Sequence, residues 1–260
     1  MRLTLTIGAR PAVRILLLNP NTTAAMTDRL LTAAMPVVSP GTILVPMTAT
    51  RGVPYIATRA EAQIAGAIAL EMLAEQHHHV DAAIIAAFGD PGLMGARELF
   101  DIPVVGMAEA AMLTACMLGR TFAIVTFAKA LGPWFQECVE MHGLTGRCAG
   151  IRMLDGTFTS VSDVQEEKEN LLVDLALRTI AETAADVIIL GGAPLAGLAA
   201  KVKHRISVPV VDQVQAAVKQ AETLVTLHVR KAESGTFRRP AAKPTLGLAA
   251  ALAARIEHKD

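Results

Sequence analysis

The sequence predicts an α/β fold of two pseudo-symmetric lobes, each a mostly parallel sheet flanked by helices, with the site in the cleft between the lobes. The first observation is an apolar run, 82–88, that a turn of glycine, aspartate and proline ends at 89–92. A short apolar run bounded in this way is typical of a strand buried on both faces. The second observation is that 185–198 repeats the order of acidic residue, apolar run, glycine-rich turn and proline.

The third observation is the spacing of this repeat. Asp186 follows Asp81 by 105 positions, and Pro209, in a second shared motif, follows Pro103 by 106 positions. A nearly constant spacing through two motifs indicates a duplicated unit. Since ligands bind beyond the carboxyl ends of strands in open parallel sheets, we expect the two glycine-rich turns to face each other across the cleft.

The predicted elements follow the chain in order. In lobe 1, apolar runs bounded by turn residues predict strands at 13–18, 42–46, 82–88 and 104–105. Ala, Met and Leu at helical spacing predict helices around 26–31 and at 59–76, 95–100 and 109–118. In lobe 2, the same criteria predict strands at 121–126, 185–190 and 210–211, helices at 134–142, 164–184 and 213–227, and a polar loop at 155–163.

The repeat also sets the predicted domain boundaries. Residues 1–12 are an N-terminal extension, 13–120 with 214–227 form lobe 1, 121–213 form lobe 2, and 228–260 are a linker and C-terminal tail. The tail is rich in Lys, Arg, Pro and Gly before a short Ala/Leu stretch. It is either an appendage without a catalytic role or a segment that docks on a neighbouring subunit.

The composition excludes several classes of protein. Lys+Arg and Asp+Glu balance at 24 each among 260 residues, which argues against nucleic acid or an anionic membrane as a partner. No apolar run reaches the roughly 18 residues of a membrane span, and the N-terminal apolar stretch is too short for a secretory signal. Three cysteines without paired spacing predict neither disulfides nor a zinc knuckle, so we expect a cytoplasmic protein.

His77, His78 and His79 end the second predicted helix. Three consecutive side chains on a helix point in different directions, so they cannot converge on one metal ion. A solvated helix end is the expected structure, because positive charge is favourable there. No other motif brings three metal ligands together, so we expect neither a metal nor another cofactor.

Polar residues follow the predicted strands at the edge where a parallel sheet binds ligands. Asn21 and Thr22 lie in the turn after the first strand, which is either an ordinary capped turn or an anion site made of free N–H groups. Tyr55 is a donor at the edge of the cleft or a packing side chain, and Thr126 ends a strand of lobe 2. Asp90, the only carboxylate in either glycine-rich turn, is a base or the cap of the helix that follows it.

Six segments together resemble the Asp/Glu/hydantoin racemase superfamily, in particular its hydantoin and allantoin racemase branch. They are 19–22 (NPNT), 88–93 (FGDPGL), 103–111 (PVVG..EAA), 124–126 (IVT), 191–194 (GGAP) and 209–217 (PVVD..QAA), and they span both lobes. The resemblance implies a cofactor-independent enzyme, a homo-oligomer, that binds a small-molecule substrate between its lobes. It also implies that these segments supply substrate contacts, at Asn21, Thr22, Phe88, Gly89, Thr126, Gly191 and Ala193. Tyr55 and Phe127, which lie outside the six segments, complete the predicted substrate-binding residues.

The chemistry of that family implies two cysteines, one in each lobe, on opposite sides of the acidic carbon of the substrate. The corresponding positions here are Ala87 and Gly192. Neither a methyl group nor a hydrogen carries a proton, so the two-thiol racemisation is not available to the chain as written. Cys116, Cys138 and Cys148 do not lie at these strand ends.

The two missing thiols differ in their surroundings. Ala87 stands in a motif that otherwise matches the family, as a single Cys-to-Ala replacement would leave it, whereas the turn around Gly192 departs from the usual GCAG pattern at several positions. A native cysteine at position 87 would resemble the one-thiol arrangement of arylmalonate decarboxylases, with the thiol in the opposite lobe.

Three functions remain open at this point. The first is an enzyme that acts at a proton-labile carbon of a hydantoin-like ring or a small carboxylate, by one-sided lyase, decarboxylase or isomerase chemistry. The second is a hydantoin racemase inactivated by replacement of its cysteines. The third is a non-catalytic homologue that binds a small anion.

Overall fold

The computed structural model describes residues 12–155 and 163–260. The strands are β1 (Val13–Asn19), β2 (Thr42–Thr48), β3 (Ala82–Ile85), β4 (Val104–Gly106), β5 (Phe122–Thr126), β6 (Cys148–Met153), β7 (Val187–Leu190) and β8 (Val210–Asp212). They form two parallel sheets of four strands in the orders β2-β1-β3-β4 and β6-β5-β7-β8. The two orders are equivalent, so the predicted fold of two similar α/β lobes is confirmed.

The helices flank these sheets. They are α1 (Ala24–Ala34), α2 (Arg59–Gln76), α3 (Leu93–Leu99), α4 (Met107–Leu118), α5 (Gly132–Met141), α6 (Val164–Thr183), α7 (Leu198–Val202), α8 (Gln213–Thr226) and α9 (Ala250–Glu257). No helix in the described ranges has the length and apolarity that crossing a bilayer needs. The predicted N-terminal extension and most of the predicted loop at 155–163 lie outside the described residues.

The sequence repeat reappears in the hydrogen bonds. Asp81 accepts a hydrogen bond from the backbone N–H of Arg14 at 2.7 Å, at the start of β1. Asp186 accepts from the N–H groups of Arg120 and Thr121 at 2.8 and 2.9 Å, just before β5. Each acidic residue therefore ties the start of its own strand to the start of the neighbouring strand, which explains why both halves have one at this position.

The central strands are buried on both faces, as the apolar runs predict. Along β1, Ile15 and Leu17 pack into a core that extends into the second lobe, while Leu16 and Leu18 pack into a second core with residues of α2 and α3. All four side chains are inaccessible to solvent. Alternate residues of a strand point to opposite faces, so this sheet needs an apolar layer on each side.

Two helices are exchanged between the lobes. Helix α4 packs against β5, β7 and β8 of the second sheet, and α8 packs against β1, β3 and β4 of the first sheet. The two helices also pack against each other. Helix α8, within the range 214–227 that was predicted for lobe 1, thus covers the first sheet, and α4, within the predicted range 13–120, covers the second sheet.

The C-terminal segment docks on its own chain. Helix α9 packs against α2, and Leu252 is buried in the second core. The buried Arg255 donates hydrogen bonds to the carbonyl of Leu99 at 2.9 Å and to the carboxylate of Asp101 at 2.6 Å. These contacts hold the tail on lobe 1 of its own chain.

His77 is a correction to the expected solvated helix end. Its side chain is buried and packs against the rings of His78 and Phe100, at centroid distances of 3.7 and 5.2 Å. Burial, helped by the nearby charge of Arg255, lowers the pKa of His77 to about 4. The tail covers this end of α2, which a pattern local to the helix does not reveal.

Candidate functional site

A cavity with about 350 Å³ of unoccupied space lies at the carboxyl ends of the strands, between the lobes. Its wall comes from the segments that follow β1, β3, β5 and β7 together with the loop before α2. This is the edge at which parallel sheets bind ligands.

The cavity brings half of the predicted site residues together. Asn21, Tyr55, Ala87, Phe88, Gly192 and Ala193 line it. The other six, Thr22, Gly89, Asp90, Thr126, Phe127 and Gly191, are not in its wall. Several of these support the wall from behind: the Thr126 hydroxyl donates to the Gly191 carbonyl at 2.8 Å, and the Phe127 ring lies 6.1 Å from the ring of Tyr55.

Ala87 and Gly192 occupy equivalent places in the two lobes. The N–H of Ala86 donates to the carbonyl of Leu18 at 2.8 Å, and the N–H of Gly191 donates to the carbonyl of Val125 at 2.9 Å. Ala87 and Gly192 are the next residues, each two positions beyond the end of its strand. Both line the same cavity.

The two positions differ in backbone conformation and in the space available for a side chain. Gly192 has φ +115°, and a β-carbon added there would lie 2.9 Å from the Phe127 ring. The side-chain amide of the buried Gln213 also forms two hydrogen bonds with the Gly192 backbone: its Oε1 accepts from the Gly192 N–H at 2.9 Å, and its Nε2 donates to the Gly192 carbonyl. Ala87 has a negative φ and already carries a β-carbon. Position 87 can therefore hold a side chain at the cavity, and position 192 suits glycine.

Free backbone donors are fewer than the glycine-rich turns suggest. The N–H groups of Gly191 and Gly192 donate to Val125 and Gln213 within the protein, so they are not available to a ligand. Within the described residues, the N–H groups of Ala87, Phe88 and Ala193 have no protein acceptor. Most of the available backbone donors are therefore on the lobe 1 side.

Two neutral side chains supply the remaining polarity of the wall. The Asn21 carbonyl oxygen accepts from Asn19 Nδ2 at 3.1 Å and from the Thr23 N–H at 2.9 Å, which orients the amide and leaves its NH₂ group as a donor. The Tyr55 hydroxyl is buried without a partner among the described residues. Burial, followed by the charge of Glu61, raises the pKa of Tyr55 far above its usual value, so this hydroxyl stays protonated.

The rest of the wall is apolar and aromatic, and sequence reasoning did not identify it. Its members are Met26, Ile56, Leu131, Trp134, Phe135 and Pro194. Phe135 lies 4.6 Å from the Phe88 ring and 5.8 Å from the Trp134 ring, measured between centroids. The feature of the sequence that could have identified them is position, because Trp134 and Phe135 lie at the start of the helix that follows β5, at the same edge of the sheet.

The composition of this wall limits its chemistry. Among the described residues that line the cavity, Tyr55 alone has an ionisable side chain, and none carries a positive charge. No lining group can exchange a proton near neutral pH, since general acid–base catalysis works best with a pKa near the working pH.

Asp90 acts as a cap, but for a different helix from the one expected. Its carboxylate accepts from the N–H groups of Ala108 and Glu109 in α4, both at 2.8 Å, and contacts His142 Nε2 at 3.0 Å. It does not line the cavity. The residue that sequence reasoning placed before α3 thus connects the turn of lobe 1 to the first turn of α4.

Two groups of described residues bring possible metal ligands within 4.8 Å of one another, namely His77 with His78 and Asp260, and Asp90 with Cys138 and His142. In the first group, Asp260 already pairs with Arg255 at 2.9 Å and Arg239 at 2.8 Å. In the second group, both oxygens of Asp90 accept backbone N–H groups. The donors at both places are thus engaged by the protein, and we assign no metal to either.

Known proteins resemble the chain over most of its length. The family described as Asp/Glu/Hydantoin racemase matches residues 15–221. Hydantoin racemase of Paenarthrobacter aurescens is 34% identical over 236 residues, which are 90% of this chain and 100% of that protein. The structure of allantoin racemase from Klebsiella pneumoniae superimposes with a TM-score of 0.85 at 34% identity, covering 91% of this chain and 97% of that chain.

A more distant likeness extends the fold comparison. The crystal structure of arylmalonate decarboxylase has a TM-score of 0.56 at 18% identity and covers 82% of this chain and 92% of that chain. At this identity the likeness shows a shared fold. The two equivalent sheets, the cavity between them and the match over 15–221 lead to one conclusion: the chain belongs to the Asp/Glu/hydantoin racemase family.

Proposed function

We propose that the cavity binds a small hydantoin-like ring with its proton-labile carbon between Ala87 and Gly192, and that proton transfer at this carbon requires a thiol at position 87. The observation that carries the proposal is that these two equivalent positions line one cavity in which, among the described residues, Tyr55 is the single ionisable side chain, with its pKa raised by burial. The names of the relatives, hydantoin racemase and allantoin racemase, support a ring of this class.

The polarity of the wall favours a neutral ring over a carboxylate. A hydantoin presents carbonyl oxygens that match the donors at hand, the Asn21 NH₂ group and the Tyr55 hydroxyl. A carboxylate would lie beside aromatic rings with no lysine, arginine or histidine in the wall, and an unpaired buried charge costs several kcal/mol. The aromatic side chains instead suit an apolar substituent on the ring.

The difference between positions 87 and 192 supports one-sided chemistry. A thiol at position 87 would extend from a residue that already has a β-carbon, beside the free N–H groups of Ala87 and Phe88. Such groups stabilise a thiolate and the enolate oxygen that forms when the ring loses its proton. A thiol at position 192 conflicts with the positive φ and with Phe127. One thiol serves lyase, decarboxylase or one-sided isomerase chemistry, whereas two-base racemisation needs both.

In the chain as given, the same geometry supports binding without turnover. The test is therefore to compare this chain with Ala87→Cys, using 5-benzylhydantoin, whose benzyl group suits the aromatic wall. Calorimetry measures binding, and nuclear magnetic resonance in heavy water measures deuterium incorporation at the ring carbon. We expect both proteins to bind the ring and only Ala87→Cys to exchange its proton.

Ala193→Cys is the matched control, because it adds a thiol to the same cavity at a position not equivalent to Ala87. It is expected to bind the ring without exchange. Exchange by the chain as given would show that another group carries the proton. Failure of every variant to bind 5-benzylhydantoin would refute the hydantoin-like ligand.

A further inference from the structure

The two lobes cap their exchanged helices in different ways. In lobe 2, Asp212 at the end of β8 caps α8 directly, accepting from the N–H groups of Val214 at 3.1 Å and Gln215 at 3.2 Å. The equivalent residue at the end of β4 is Gly106, as the strand pairing shows. Gly106 has no side chain, so α4 lacks a cap of its own.

Asp90 supplies the missing cap from the cavity turn. Its two carboxylate oxygens accept from the N–H groups of Ala108 and Glu109, and a β-carbon built on Gly106 would overlap this carboxylate. The N–H of Asp90 in turn donates to the carbonyl of Ala87 at 3.1 Å. The cap of α4 and the backbone of the cavity wall are therefore parts of one hydrogen-bonded unit.

This arrangement places the carboxylates of Asp90 and Glu109 close together inside the protein, and the His142 imidazole contacts both. His142 follows α5, and its buried side chain puts Nε2 3.0 Å from Asp90 Oδ2 and Nδ1 3.4 Å from Glu109 Oε1. Arg97 of α3 pairs with the same Glu109, with Nη1 at 2.8 Å from Oε1. With a protonated imidazole, two cations balance two anions; with a neutral one, a buried negative charge is left over, which is costly.

We propose that His142 is a positioning residue for the cavity: through Asp90 it holds the turn that carries Ala87 and Phe88 against the start of α4. The turn is also the surface on which Trp134 rests, since a β-carbon on Gly89 would overlap the indole ring. Trp134 lines the cavity. We call this link from His142 through Asp90 to α4 the tether. Its loss would therefore alter both the backbone donors of the turn and the aromatic wall of the cavity.

The charge of His142 gives this tether a pH dependence. Burial opposes protonation, but the hydrogen bonds to Asp90 and Glu109 outweigh it and raise the pKa of His142 to about 9. The charged and titratable groups around the imidazole are Asp90 on the turn, Glu109 on α4, Arg97 on α3 and Cys138 on its own helix. Burial, then the charges of Asp90 and Glu109, raises the pKa of the Cys138 thiol, so Cys138 stays neutral. The stabilisation is fully present below about pH 6.5 and is lost as the pH rises through about 9.

The chain contains one tryptophan, so Trp134 fluorescence reports on the turn without a label. In the unmodified chain we expect a fluorescence transition with its midpoint near pH 9. His142→Gln, which keeps a hydrogen-bond donor but removes the charge, is expected to lack it. His204→Gln is the matched control, because His204 is exposed on the other lobe, and it is expected to keep the transition.

Two measurements at pH 7 compare the same three proteins. Amide hydrogen exchange at Ala108 and Glu109 is expected to be about tenfold faster or more in His142→Gln, since each pKa unit is a tenfold preference for the charged form. Affinity for 5-benzylhydantoin is expected to fall in this variant by the fraction of molecules in which the turn is closed, which is about tenfold when roughly nine molecules in ten are open. It is expected to be unchanged in His204→Gln. Only this binding measurement rests on the proposed function.

The outcomes separate the two proposals. If none of the proteins binds the hydantoin but the fluorescence transition and the exchange difference are present, the proposed ligand is wrong and the tether stands. If the unmodified chain shows no transition between about pH 8 and 10, the tether is overturned, even where His142→Gln fails to fold. A zinc-dependent rise in melting temperature that His142→Gln abolishes would make Asp90, Cys138 and His142 a metal site instead and would likewise overturn it.

Discussion

Replacing Gly192 by alanine tests whether the second lobe can carry any side chain at the cavity. A residue other than glycine held at φ +115° costs about 1–3 kcal/mol in backbone strain. The added β-carbon would lie 2.9 Å from the Phe127 ring, and overpacking of this kind costs about 1–3 kcal/mol more. We therefore expect the free energy of unfolding to fall by about 2–6 kcal/mol.

The assay is urea unfolding, with thermal melting as a second measurement. For a chain of this size each kcal/mol lowers the melting temperature by roughly 2–4 °C, so a fall of roughly 4–24 °C is expected. Gly143→Ala is the matched control: Gly143 also has a positive φ, +68°, but a β-carbon there meets nothing within 4 Å. It should cost only the backbone strain, about 1 kcal/mol.

A Gly192→Ala variant as stable as the unmodified chain would refute this reasoning. Position 192 could then hold a cysteine, and the argument for one-sided chemistry would fail. Equal losses in Gly192→Ala and Gly143→Ala would show instead that Phe127 moves aside, which leaves backbone strain as the only obstacle.

Three further predictions follow from individual contacts. Tyr55→Phe removes a buried hydroxyl that has no partner among the described residues, so it should leave the melting temperature unchanged or raise it. In calorimetry the same variant should bind the hydantoin about fivefold more weakly, and a loss of stability would mean that the hydroxyl has a partner. Burial holds the pKa of His77 near 4, so the folded state favours the neutral imidazole, and this stabilisation is lost as the pH falls from about 6.5 through 4. His77→Asn should therefore remove about 3 kcal/mol of the difference in unfolding free energy between pH 7 and pH 4, measured with urea, and an unchanged difference would contradict the assignment. Chelator should change neither the melting temperature nor hydantoin binding, and recovery of a lost property by one divalent ion would overturn the prediction of no metal.

Local patterns in the sequence were sufficient for the strands, the duplication and the edge at which the cavity opens. Apolar runs such as 82–85 and 187–190, each ended by a glycine-rich turn, are typical of strands buried on both faces, and in a parallel sheet the turns that follow them lie at the carboxyl edge. The acidic residues Asp81 and Asp186 recur for a local reason as well, because each ties two neighbouring strands. These features depend on residues close in sequence or on a repeat that the sequence displays.

The tertiary structure alone decided which neighbours those turns have. The Gln213 side chain, at the start of α8, forms hydrogen bonds with Gly192, and Asp90 caps α4 and not α3. Trp134 of α5 lines the cavity. Each of these contacts joins segments that are 18 or more positions apart, across helices that the lobes exchange. Periodicity reports which face of an element is buried, but it carries no information about what covers that face, so the difference between Ala87 and Gly192 appears only once the chain is folded.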